Sequence, residues 1–212
     1  MKVGITQRID IVKGYKEQRD SLDQRMIEWV VKAGFDPVLI PNSLVDISKP
    51  FKKQNILDKW IKSIELEGII ISGGNDIGEA PKRDLTEKFL LHMSKKIKMP
   101  VLGICRGMQI MAVYEGADLK KVKGHVGTRH SLEVEEVEED KFPATVNSYH
   151  NYGLVGCPES FKVLAKAEDM EVEAISHNKL PWEGWMWHPE REDNFSIKEI
   201  NRLRSLFQNE QK

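Results

Sequence analysis

Two short stretches of this chain carry residue types able to do covalent chemistry. The first, Pro100-Val-Leu-Gly-Ile-Cys105-Arg-Gly-Met-Gln109-Ile-Met111, is an apolar run ending on a cysteine framed by Gly103 and Gly107. A Gly-x-Cys-x-Gly frame suits a strand-turn-helix elbow, because the turning residue holds a strained backbone and its neighbours must let strand and helix meet. Cys105 would then stand at the carboxyl end of a strand, where a helix N-terminus favours thiolate and can receive an oxyanion. Read alone, the frame fits a core cysteine beside a tight turn equally well.

The second stretch is Trp185-Met-Trp187-His188-Pro-Glu190. Residues i and i+2 of an extended segment point to one side, so Glu190 can hold one ring nitrogen of His188 while the other faces a thiol. Alone this is as well read as a surface turn. With Cys105 it supplies the nucleophile, base and orienter of a triad.

A third stretch, Ile71-Ser-Gly73-Gly74-Asn-Asp76, follows the apolar run Gly68-Ile-Ile-Ile-Ser72. Two glycines let backbone N–H groups turn toward a developing oxyanion, with Gly74 and the residue after the nucleophile, Arg106, as the donors. No Gly-Lys-Ser/Thr follows, so a P-loop is excluded. The Arg106 side chain can reach a carboxylate or phosphate, or lie in solvent.

These pieces, together with Asn147-Ser148-Tyr149-His150, resemble the class I glutamine amidotransferase family, and within it γ-glutamyl hydrolases of the peptidase C26 type. They occur in the family's order across nearly the whole chain. The arginine after the cysteine is the detail closest to the hydrolase branch. The resemblance implies a flavodoxin-like α/β fold, with Cys105, His188 and Glu190 as catalytic residues and Gly74 and Arg106 as oxyanion donors. Gly73, Gln109, Asn147, Ser148, Tyr149 and His150 are implied as substrate contacts, as the glycine loop, the residue one helical turn past the nucleophile, and the lining of a γ-glutamyl pocket. The family commonly has a second histidine after this last segment, where this chain has Asn151 and Tyr152. The substrate implied is a small-molecule γ-glutamyl conjugate, with γ-glutamyl-CDP-amidate first among them as a whole-sequence likeness that motif spacing does not carry. A glutaminase subunit feeding ammonia to a partner synthetase and an inactive binding module are the other readings.

The positioning elements follow from pattern. Lys2 to Thr6 reads as a strand, and Gln7 to Asp20 as a long polar loop in which Arg8, Tyr15 and Arg19 either contact substrate or are simply solvated. Arg8, Arg19, Arg106, Arg129 and Arg191 are available for a diphosphate leaving group. Ser21-Leu-Asp-Gln24 reads as a capping box opening a helix with Leu22, Met26, Trp29 and Ala33 on one face, closed by Gly34. Phe35 to Ile40 is a second strand. Helices are expected over Asn55 to Leu66, on Ile56, Trp60 and Ile64, and around Leu85, Phe89, Leu90, Met93 and Ile97. Beyond Gly116 the texture turns β-like, at Arg129 to Val137, Phe161 to Ala167, Glu171 to His177 and Gly184 to His188, before a helix capped by Ser196 with Ile197, Ile200, Leu203 and Phe207 inside. The fold class is therefore α/β, a largely parallel or mixed sheet flanked by helices, with residues 1–212 as one domain and a small β-rich extension in the second half.

Composition sets limits. The 212 residues are 40% hydrophobic and 31% charged, with 32 basic against 33 acidic side chains and a net charge of -1. Such a balance does not call for nucleic acid, and no apolar run reaches the roughly 18 residues of a membrane span. A cytoplasmic location is expected. The two cysteines, Cys105 and Cys157, suggest no disulfide framework, and Cys157 reads as incidental. His125 and His130 could form a ligand pair, but no third ligand stands near them in sequence, so neither metal nor cofactor is expected. The acidic run Glu133 to Asp140 reads as the solvated face of an edge strand.

Overall fold

The computed structural model describes residues 1–134 and 141–208. Its centre is built from the continuous apolar runs: β1 (Lys2–Thr6), β5 (Gly68–Ile71) and β6 (Val101–Ile104) lie side by side and parallel, flanked by β4 (Asp36–Ile40). Runs apolar on both faces need cover on both faces, and crossover helices supply it. Ile70, Leu102 and Ile104 point into one layer with Met26 and Trp29 of α1 (Gln24–Lys32) and Leu203 of α5 (Ile197–Phe207). Ile69, Ile71 and Val101 point into the other, with α2 (Asn55–Ile64), α3 (Pro81–Ile97) and α4 (Arg106–Tyr114). Each fully buried aliphatic side chain contributes about 1.5–3 kcal/mol, so the strands that end at the site are held firmly.

The sheet continues through the second half of the chain. Its order is β4-β1-β5-β6-β13-β12-β11-β8-β9, with β13 (Trp182–Trp185) parallel to β6 and the pairings beyond it antiparallel. These outer strands are β12 (Val172–His177), β11 (Phe161–Ala167), β8 (Val126–Val134) and β9 (Thr145–Tyr149). The expected extension is thus continuous with the main sheet, and among the described residues of this half only the ribbon of β7 (Leu119–Lys121) with β10 (Tyr152–Leu154) stands apart from it.

Several local expectations change. Residues 7–20 are no loop: β2 (Arg8–Val12) and β3 (Glu17–Ser21) form an antiparallel ribbon. Cross-strand pairing satisfies the backbone of β3, which is polar throughout, without any apolar pattern of its own. The cap of α1 is Asp23, whose side chain accepts from the Arg25 N–H, because Ser21 is already committed to β3. In α2 the fully buried pair is Leu57 and Ile61, one position on from the expected stripe, and Ile56 is exposed. Ile97 and Ile197 also face outward. Ser196 begins α5 without a side-chain capping bond. The strand expected over Gly184 to His188 ends at Trp185, and a single 3-10 turn, Pro189–Arg191, follows His188. The run expected as Arg129 to Val137 is β8, and the rest of its acidic stretch, 135–140, lies outside the described residues.

Candidate active site

Cys105 is the residue between β6 and α4, with φ 51 and ψ -108. For a residue with a Cβ that conformation is strained, and three contacts hold it. The Cys105 N–H donates to the Trp185 carbonyl at 2.7 Å. A Cβ on Gly103 would lie 2.5 Å from the Gly107 carbonyl carbon, and one on Gly107 would lie 1.9 Å from the Ile71 carbonyl oxygen. The glycine frame is therefore what lets strand and helix meet at the turn.

His188 lies at the carboxyl end of β13, beside the elbow because β13 pairs with β6. Its Nδ1 is 2.7 Å from Glu190 Oε1, and both residues are buried. Burial alone would lower the His188 pKa, but the Glu190 carboxylate and the Cys105 sulfur, which shares a hydrogen bond with the ring, outweigh it and raise the value to about 9. Asn147 of β9 clamps the backbone of His188 from both sides. Its Oδ1 accepts from the His188 N–H at 3.0 Å and its Nδ2 donates to the His188 carbonyl at 2.8 Å. The Tyr149 ring meets the imidazole edge-on at 6.0 Å.

The glycine loop is pressed against this ring. A Cβ on Gly73 would come within 2.5 Å of His188 Cε1, and one on Gly74, at φ +125, within 2.6 Å of Arg83 Nη1. Arg83 of α3 is wholly buried and donates to the carbonyls of Ser72 at 2.6 Å and Gly73 at 2.8 Å. In a trans peptide the N–H points opposite to the carbonyl before it. Arg83, by drawing the Gly73 carbonyl to one side, turns the Gly74 N–H to the other. Arg83 is held in turn by Glu87 at 2.9 Å, and the Arg106 side chain is buried against Asp84 and Glu87. That settles its side chain as a partner of buried carboxylates, while the Arg106 N–H, at the first position of α4, has no intrahelical acceptor.

Cys105, Arg106, Gln109, Tyr149, His150, Asn151 and His188 line a cavity of about 290 Å³ together with Arg8, Gly74, Asp76, Glu79 and Arg191. A neighbouring cavity of about 320 Å³ shares Arg8, Gly74, His188 and Arg191. Gln109 is buried and donates from Nε2 to the Tyr152 carbonyl at 2.9 Å. Asn75 exchanges hydrogen bonds with the backbone of Ile9, which ties the β2–β3 ribbon to the glycine loop and sets Arg8 over Gly74. Several expected contacts lie elsewhere, Asn147 among them, since its amide is committed to the backbone of His188. Ser148 donates to the His125 carbonyl at 2.8 Å, Arg19 pairs with Glu17 on the exposed face of the ribbon, and Tyr15 is exposed at its tip. Arg129 pairs with Glu192. Arg83 went unread in the sequence, although Arg83 and Glu87 stand four apart just after the glycine loop; that spacing looks the same on a solvated face.

Residues 17–200 match the family described as Glutamine amidotransferase class-I. The chain belongs to that family. Among curated relatives, the γ-glutamyl-CDP-amidate hydrolase of Campylobacter jejuni is 31% identical over 206 residues, covering 94% of this chain and 95% of that one. A glutamine-hydrolyzing GMP synthase subunit of Methanothrix thermoacetophila is 34% identical over 138 residues, 61% of this chain and 70% of that one. A GMP synthase subunit protein from Thermoplasma acidophilum has the same fold, with a TM-score of 0.71 at 22% identity over 99% of this chain and 95% of that one. The class I amidotransferase fold expected of the sequence is the fold observed. None of the described helices is long and apolar enough to cross a membrane.

Proposed function

We propose that this chain is a cysteine-nucleophile hydrolase that cleaves the γ-glutamyl C–N bond of γ-glutamyl-CDP-amidate, releasing L-glutamate and cytidine diphosphoramidate. The observation that carries the chemistry is Cys105 and His188 at one cavity, with Glu190 behind the imidazole at 2.7 Å and the pKa of the ring raised to about 9 beside the sulfur. The thiolate attacks the γ-carbonyl and forms a C–S bond. The N–H groups of Gly74 and Arg106 receive the oxyanion, the first turned by Arg83 and the second free at the helix start. His188 then gives its proton to the departing nitrogen as the C–N bond breaks, leaving a thioester. Water, deprotonated by His188, attacks the thioester, and the C–S bond breaks to release glutamate and restore the thiolate beside the protonated His188.

Specificity divides between the two cavities. Gln109, whose amide nitrogen is committed to the Tyr152 carbonyl, keeps its oxygen for the substrate ammonium, with Asp76 and Glu79 nearby. Arg8 and Arg191 line both cavities and suit a diphosphate passing from one to the other. The likeness to the Campylobacter hydrolase across almost the full length of both chains supports this leaving group over the others. The Methanothrix relative, a glutamine-hydrolyzing GMP synthase subunit, favours a second reading, a glutaminase that feeds ammonia to a synthetase.

Glutamate release from γ-glutamyl-CDP-amidate, other γ-glutamyl conjugates and glutamine decides between them. Release that is fast from the CDP-amidate and slow from glutamine supports the hydrolase. Release from glutamine alone, rising when a synthetase is added, supports the glutaminase. No release dependent on Cys105 sinks both.

A further inference from the structure

A polar cluster that the proposed hydrolysis does not use reaches the edge of the cavity through His150. It joins His125, just before β8, His150, just after β9, and Glu173 of β12, all three buried. His125 Nδ1 and His150 Nε2 stand 3.1 Å apart, and Glu173 Oε1 is 3.5 Å from the first and 3.4 Å from the second.

The outer nitrogens fix the tautomers. His125 Nε2 is 2.9 Å from Asp169 Oδ2 and His150 Nδ1 is 3.0 Å from the Tyr152 carbonyl, and both of those oxygens accept only. Each ring therefore carries its hydrogen on the outside, and two lone pairs face each other inside. Beside them, neither oxygen of Glu173 has a hydrogen-bond partner among the described residues, although the side chain is wholly buried. Two opposed lone pairs and an unpartnered buried carboxylate are unfavourable unless a cation, either a proton shared among them or a metal ion, sits between them.

We infer that His125, His150 and Glu173 form a binding site for a divalent transition-metal ion, zinc by the chemistry of its ligands. A tetrahedral zinc with bonds of about 2.0–2.1 Å has ligand atoms about 3.3–3.4 Å apart. The three edges of this triangle, 3.1, 3.5 and 3.4 Å, bracket that distance. Two imidazoles and a carboxylate are donors that suit zinc, and Asp169 and the Tyr152 carbonyl are the outer partners that orient ligating histidines. The fourth position is left to water. The ion would join β8, β9 and β12, and would fix the Tyr152 carbonyl that receives Gln109 at the cavity floor. The sequence pairing of His125 with His130 is replaced by His125 with His150. His130 instead packs its ring beside His125, with centroids 4.2 Å apart.

The test uses the full chain, stripped with a chelator and titrated with Zn²⁺ alone and with Co²⁺ alone, beside Cys105→Ala and Glu173→Gln. One zinc per chain is expected. At zinc about a hundred times Kd it should raise the Tm by about 5–10 °C. Binding should persist in Cys105→Ala and weaken about 100-fold or more in Glu173→Gln. The Co²⁺ form should show the visible bands of a four-coordinate ion with no thiolate charge-transfer band. Three results overturn the inference: no stoichiometric binding to the folded parent, zinc affinity unchanged in Glu173→Gln, or a thiolate band marking Cys105 or Cys157 as the ligand. The first would assign the gap between the rings to a shared proton. If Glu173→Gln fails to fold, the Co²⁺ spectrum of the parent decides alone.

Discussion

The two halves of the sheet meet at β6 and β13 and are built on different terms. The parallel half places its polar groups at strand ends: the elbow follows β6, the glycine loop follows β5, and the strands themselves are apolar on both faces. The antiparallel half carries polar chemistry inside the sheet and against its helix. Glu173 and Glu183 are buried within strands, the latter paired with Arg202 at 2.7 Å, and Glu199 is buried under Trp187. The first half sets its elbow by backbone geometry and close glycine contacts, with Arg83 as the side-chain anchor of the glycine loop. The second positions by side-chain hydrogen bonds between segments far apart in sequence, such as Asn147 to His188. Changes in the first half should therefore act on rate, and many in the second on pH behaviour and stability.

The largest effect is expected at the elbow itself. Cys105→Ala should lower glutamate release by about 10⁴-fold or more, as loss of a nucleophile does elsewhere, with circular dichroism unchanged. Retained turnover would remove the elbow from the chemistry. Next is Arg83→Gln, which frees the Ser72 and Gly73 carbonyls and so misaims the Gly74 N–H. A fall in kcat of about 10²–10³-fold is expected, the range for losing one oxyanion donor. If KM rises with kcat unchanged, Arg83 binds substrate rather than turning the loop.

Two tests address the other half. Glu199 is raised from 4.5 to about 7, first by burial and then by Glu192 and Glu190, against the lowering bond from Trp187. Between those values the folded chain still holds a proton that the unfolded chain has released, so stability falls as pH rises through the window and stays reduced above it. Glu199→Gln removes that dependence. Urea unfolding at pH 8 should show a gain on the order of 3 kcal/mol, shrinking as pH falls toward 4.5; an equal gain at both ends would refute the buried-charge account. His188 is shifted upward from 6.5 to about 9, so its pairing stabilises the fold fully below pH 6.5 and is lost as pH rises through about 9. The proton needed by the leaving group vanishes over the same limb. Glu190→Gln should move the alkaline limb of kcat/KM down by about one to two pH units, whereas an unmoved limb would assign it to another group. The smallest effect is expected of Arg19→Ala, within about twofold in kcat/KM, since its partner is Glu17 on the exposed ribbon. A larger loss would bring the ribbon face back into the substrate path.

How much of this was legible in sequence follows the same division. The elbow, the glycine loop and the His-Pro-Glu turn are local: their residues must be neighbours in the chain for the geometry to work, so their spacing is visible. So is the doubly wound core, because strands buried on both faces read as unbroken apolar runs. The β2–β3 ribbon was missed because the short alternation of Ile9 and Ile11 in β2 has a wholly polar partner, Glu17–Ser21, whose pairing rests on backbone bonds and leaves no hydrophobic period of its own. The roles of Arg83 and Asn147 were missed because an arginine on a helix or an asparagine in a strand looks the same whether its partner is water or a distant carbonyl. By itself the sequence determined the fold class, the order of the catalytic segments and which residue types could react. Only the tertiary structure decided that the Arg106 side chain faces carboxylates, that Asn147 clamps His188, and that His125, His150 and Glu173 share one buried point. Those contacts join residues from 19 to 48 positions apart, at angles and distances that packing alone sets.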